Sequence, residues 1–98
     1  MDVEFADKDL DRLEIEAEFY AGFSREIARA FRKVLQLIRA APDERTFYAL
    51  KSLRFEKLKG DRSHQRSMRL NQQWRLILEI KACDSGKIIV VVAIEDYH

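Results

Sequence analysis

The 98-residue chain is long enough for one hydrophobic core and short for two, so a single domain over 1–98 is expected. Hydrophobic residues are 47% and charged residues 36%, with three glycines and one proline, which excludes a low-complexity or disordered chain. No apolar run reaches the roughly 18 residues of a membrane helix, and the acidic start Met1-Asp2-Val3-Glu4 is unlike a secretory leader, so the cytoplasm and no membrane partner are expected.

Val3-Glu4-Phe5 alternates apolar and polar residues like a short strand, and Lys8–Ile15 fits either a helical turn or an extended arm. Ser24 is a helix N-cap, because Ile27, Phe31, Val34, Leu35 and Ile38 then fall at i, i+4, i+7, i+8 and i+11 on one face. Arg25, Arg29, Arg32, Lys33, Gln36 and Arg39 take the opposite face, and Pro42, with no N–H to donate, ends the helix near Ala41. A shorter second helix is predicted over 42–50, with Asp43 and Glu44 in its first turn and Phe47 and Leu50 turned inward.

After Gly60-Asp61-Arg62 the period becomes two: Met68 and Leu70, then Trp74, Leu76, Leu78 and Ile80, with Asn71-Gln72-Gln73 as the turn. Asp84-Ser85-Gly86 makes another turn, and the β-branched run 88–94 reads as a central strand covered on both faces. The sum is an α+β fold: a short N-terminal strand and two to three helices packed on one face of a twisted, mainly antiparallel sheet. The other face of that sheet is expected to be free to bind.

The net charge of +1 conceals a segregation. Residues 1–20 hold eight acids and two bases; residues 51–75 hold eight bases, Lys51, Arg54, Lys57, Lys59, Arg62, Arg66, Arg69 and Arg75, against Glu56 and Asp61. Such an excess suits a polyanion, and the plain alternative is a solvated charged face. The one cysteine, Cys83, has no disulfide partner, and with His64 and His98 it makes no zinc-ligand spacing. No metal or other cofactor is expected, and His64, beside Gln65 and Arg66, reads as an inert exposed histidine.

Three stretches then stand out in order: Leu58-Lys59-Gly60-Asp61-Arg62; Ser67-Met68-Arg69-Leu70-Asn71 leading into Gln73-Trp74-Arg75-Leu76; and Glu95-Asp96-Tyr97-His98. Together they resemble the HigB branch of the RelE-like toxins of type II toxin–antitoxin systems. The resemblance implies a single RelE/HigB-like domain whose twisted antiparallel sheet carries N-terminal helices, in agreement with the periodicity. It also implies a toxin that enters the ribosomal A site and cleaves translated mRNA, inhibiting translation and growth. A helix-turn-helix, HigA-like antitoxin would neutralise it and be its only route to operator DNA.

Metal-free RNA cleavage needs a base for the 2′-hydroxyl proton, cations for the phosphorane and an acid for the leaving 5′-oxygen. Arg75 follows Trp74 on a strand, so alternation sends its guanidinium to the face opposite the indole, and the resemblance implies that it clamps phosphate there. Lys59, in the matched turn, is a second phosphate ligand; Lys57, Arg62 and Arg69 bind or steer RNA, solvation being the alternative. The resemblance gives catalytic or positioning roles to Asp96, Tyr97 and His98, with tyrosine able to stack on a base and histidine able to shuttle protons. A frayed terminus is the other reading of that tail.

One departure stands out. Where HigB relatives carry a histidine two residues before Leu58, this chain has Glu56, either a base tuned by cations or burial or an ion-pair partner of Lys57 or Arg54. Trp74, Phe31 and Phe47 sit on the apolar phase of their elements and belong to the core. Two other functions fit the same fold: a ParE-like DNA gyrase poison, which needs no acid–base residues, and a catalytically weak toxin acting as antitoxin-binding co-repressor. Tyr97 and His98 beside Arg75 favour the nuclease. The acidic first twenty residues and the basic face of helix 24–41 are both candidate antitoxin surfaces.

Overall fold

The computed structural model describes residues 1–96. Strand β1 (Asp2–Phe5) leads into helices α1 (Lys8–Ile15), α2 (Arg25–Ala40) and α3 (Arg45–Ala49). Strands β2 (Glu56–Lys57), β3 (Gln65–Arg69), β4 (Trp74–Cys83) and β5 (Gly86–Asp96) follow, with 3-10 turns at Lys51–Leu53 and Gly60–Arg62. The five strands form one sheet in the order β1-β5-β4-β3-β2, antiparallel except where β1 joins β5 in parallel. Among the described residues, no helix is long and apolar enough to cross a membrane.

Ser24 caps α2, its hydroxyl accepting the Ile27 N–H at 3.2 Å. The predicted stripe of Ile27, Phe31, Val34, Leu35 and Ile38 is buried, and from Phe31 onward it joins a core that takes Met68, Leu76, Leu78, Ile89 and Val91 from the sheet. Each such side chain contributes roughly 1.5–3 kcal/mol on full burial, so packing of this face, more than propensity, holds the helix.

The segment that fitted either helix or arm is helical. Asp7 caps α1 by accepting the Asp9 N–H at 2.8 Å, and Leu10 and Leu13 enter the core. Arg32 of α2 closes the other end: its Nε donates to the Leu13 carbonyl at 2.8 Å, and its Nη2 to those of Glu16 and Phe19 at 3.0 and 2.9 Å. Arg39 forms a two-point pair with Glu14 at 2.6 and 2.8 Å. Part of the segregated charge is therefore answered inside the molecule, because the acidic N-terminal segment lies against the basic face of α2.

Three details differ from expectation. The second helix is Arg45–Ala49 rather than 42–50, since the Asp43 carboxylate accepts the Arg45 N–H at 2.9 Å and keeps a turn ahead of it; Phe47 is still buried and Leu50 still packs on the core. Strand β2, unforeseen, pairs Glu56 with Ser67 and Lys57 with Arg66, and two residues are too few to display a period. The run 88–94 lies inside the sheet but is covered on one face only, with Ile89 and Val91 buried and Ile88 and Val90 half-buried. The register steps from Ile77↔Ala93 to Leu78↔Val91, leaving Val92 as a bulge. The Asn71 turn forms as expected, its Oδ1 accepting the N–H groups of Gln73 and Trp74 at 2.8 and 2.7 Å.

Candidate functional site

Directly paired residues in a sheet point the same way, so register decides which face each side chain takes. Leu76 and Leu78 face the helices; Arg75, Ile77 and Glu79 therefore face away, together with Ser67 and Arg69 of β3 and Glu95 of β5. Glu56, opposite Ser67, joins them. Trp74 stays on the helix side, edge-on to Phe23 with ring centroids 5.9 Å apart, so alternation delivers Arg75 to the far face.

That face carries no helix, and it holds a side-chain bridge of its own. Arg62 donates from Nη1 and Nη2 to the Glu95 carboxylate at 3.1 and 2.8 Å, and from Nε to the Gln65 side-chain oxygen at 3.0 Å. This bridge from β3 to β5 crosses β4 at the level of Ile77, which is fully buried although it lies outside the helix-side core. The Glu95 hydrogen bonds raise the Arg62 pKa above the ordinary arginine value.

Beside this roof opens a cleft of about 400 Å³ lined by Glu56, Lys57, Leu58, Lys59, Arg62 and Arg75. Gly60, at φ +68°, supplies the left-handed residue that turns the chain between Lys59 and Arg62. Four cations and the Glu56 carboxylate thus converge from three elements. Glu56 is exposed and makes no ion pair with Lys57 or Arg54 among the described residues.

Other residues named from the sequence lie elsewhere. Arg69 is the register partner of Arg75 on the same face but donates to the Asn71 carbonyl at 3.2 Å and does not line the cleft. Asp96 is the register partner of Trp74, on the helix side, and accepts from Gln73 Nε2 at 3.0 Å. Tyr97 and His98 lie outside the described residues. His64 is exposed, 3.8 Å from the Glu79 carboxylate. Sequence reasoning passed over Leu58 and Glu95 as separate groups; both stood inside matched motifs, and only the register shows that Glu95 shares the face of Arg75. Among the described residues, no group of three His, Cys, Asp or Glu side chains gathers that could hold a metal.

Three helices on one face of a five-stranded mixed sheet define the RelE-like toxin fold. The structure resembles the YoeB/ParE toxin from Agrobacterium tumefaciens, with a TM-score of 0.66 at 15% identity and 100% of each chain covered. It also resembles the conserved hypothetical protein HP0894 from Helicobacter pylori, with a TM-score of 0.50 at 14% identity over 99% of this chain and 94% of that one. A search of curated protein sequences finds no match. The family model for the HigB-like toxin, a RelE-like toxin of the type II toxin–antitoxin system HigB, matches residues 3–98. The chain belongs to this family, and its partner is accordingly an antitoxin.

Proposed function

We propose that this toxin is an endoribonuclease that cuts translated mRNA in the ribosomal A site without a metal ion. The observation supporting it is the convergence of Glu56 with Lys59, Arg62 and Arg75 in one cleft. Glu56 takes the 2′-hydroxyl proton as that oxygen attacks the adjacent phosphorus. The new O2′–P bond forms as the P–O5′ bond breaks, leaving a 2′,3′-cyclic phosphate on one fragment and a 5′-hydroxyl on the other.

Arg75 and Lys59 hold the non-bridging oxygens, where negative charge builds up; removing one such donor costs on the order of 100- to 1000-fold in rate. His98 protonates the leaving oxygen and Tyr97 stacks on a base, both carried over from the terminal motif of the family. Asp96, bonded to Gln73, is a positioning group for that tail. Lys57 and Arg69 steer the strand electrostatically. In this reading the toxin works in the cytoplasm, and a helix-turn-helix, HigA-like antitoxin neutralises it.

Mapping new RNA 5′ ends after a brief pulse of expression tests this, with Arg75→Ala induced in parallel. Cuts inside translated codons that disappear in Arg75→Ala are the expected result. Growth arrest without new ends would overturn the nuclease and point to gyrase; neither arrest nor cuts would leave an antitoxin-binding co-repressor.

A further inference from the structure

The helix layer carries a second basic groove. On a helix of about 3.6 residues per turn, Arg29 and Lys33 fall nearly opposite the buried Phe31, so they stand on the back of α2, across the molecule from the cleft. With Tyr20, Arg25, Arg32 and Gln36 they line a groove of about 430 Å³. Arg25, Arg29 and Lys33 are exposed, and none pairs with a carboxylate among the described residues, whereas Arg32 and Arg39 are committed to α1. At a rise of about 1.5 Å per residue, these three cations stand about 6 Å apart in a row about 12 Å long.

We propose that this groove grips the phosphate backbone of a double-helical RNA while the cleft on the other face takes the strand to be cut. An uncompensated row of cations suits a line of phosphates, and such binding needs no base contacts. An antitoxin peptide would look for several apolar anchors; of the exposed large hydrophobics, Ile15 and Tyr48 lie outside the groove, and Leu37, the next step of the row after Lys33 but not among the groove's lining, offers one. A single strand would look for an open stacking platform, and the one ring here, Tyr20, is half-buried with the Arg32 guanidinium 5.6 Å from its centre. The choice of RNA over DNA rests on the nuclease reading; the duplex-backbone assignment does not.

The test is fluorescence anisotropy of the full chain with a labelled RNA hairpin of about 16 base pairs, across a salt series, with Arg29→Ala/Lys33→Ala as the variant. Both positions are exposed mid-helix, where alanine favours the helix, so the fold is kept. Losing two phosphate contacts lowers the slope of log K against log salt by about 1.8, so between 50 and 200 mM the parent loses roughly 12-fold more affinity than the variant. Lys81→Ala, an exposed cation that lines neither the groove nor the cleft, keeps the hairpin slope, and mapping of RNA ends with the parent chain reads cutting on its own, which separates a failure of the groove from a failure of the nuclease. An unchanged slope in the double variant would overturn the proposal. So would retained hairpin binding with loss of the co-expressed antitoxin, which would make the groove a protein interface.

Discussion

Replacing Glu95 with glutamine separates what the Arg62–Glu95 pair does for the fold from what it does for RNA. The pair is two-pronged, at 2.8 and 3.1 Å, but its side chains are 40% and 34% exposed, so solvent screens it. A pair of this geometry and exposure is worth about 1 kcal/mol, and Arg62 keeps its bond to Gln65 in the variant. For a domain of this size that loss lowers Tm by about 4–8 °C. RNA binding moves the other way. Glu95→Gln removes a negative charge beside the cleft and frees a guanidinium, so one more phosphate can be neutralised and the salt slope for single-stranded RNA steepens by about 0.7. Thermal unfolding followed by circular dichroism reads the first effect; salt-titrated anisotropy with a non-cleavable 2′-O-methyl oligonucleotide reads the second. A lowered Tm accompanied by weaker, shallower binding would refute this reasoning, because Glu95 would then be presenting Arg62 to the substrate rather than competing for it.

Other perturbations test the scaffold. Gly60→Ala meets open space, so its cost is the left-handed backbone alone, about 1–2 kcal/mol in urea unfolding; RNA affinity should fall with it, since the turn carries Lys59 and Arg62. Arg32→Ala strips donors from three carbonyls at and beyond the end of α1 and should cost roughly 1.5–3 kcal/mol, with hydrogen exchange quickening in α1 before the sheet. Hydrogen bonds from the side chain and then the backbone of Arg45 hold the exposed Asp43 carboxyl down to about 2, from an ordinary 3.8. Its contribution is therefore present above pH 3.8 and is lost as pH falls through about 2. A carboxyl-carbon NMR titration should show this midpoint and its return toward 3.8 in Arg45→Ala; the same midpoint in both proteins would count against the assignment.

The parts of this fold that local rules govern could be read from the sequence. Helix α2 needed only the Ser24 cap and an apolar stripe of period 3.6, and the β3–β4 hairpin only alternation and the Asn71 turn. Both arise from contacts within a few residues or from one shared core face, so the pattern and the packing agree. The cleft was legible to the same depth: Arg75 lies opposite Trp74 by alternation alone, and Lys59 and Arg62 come with their glycine turn.

What alternation misassigns is the choice between Glu95 and Asp96. Counting by twos from the buried Ile89 and Val91 puts Ala93 and Glu95 toward the helices and Asp96 on the cleft face beside Arg75. The extra residue at Val92 reverses that phase: Ala93 pairs with Ile77 on the far face, Ile94 turns to the core, Glu95 reaches Arg62, and Asp96 falls beside Trp74. A bulge changes no composition and no motif, yet it re-aims every side chain beyond it. The terminal motif therefore announces its chemistry in the sequence, while the face on which each carboxylate acts belongs to the ladder between β4 and β5.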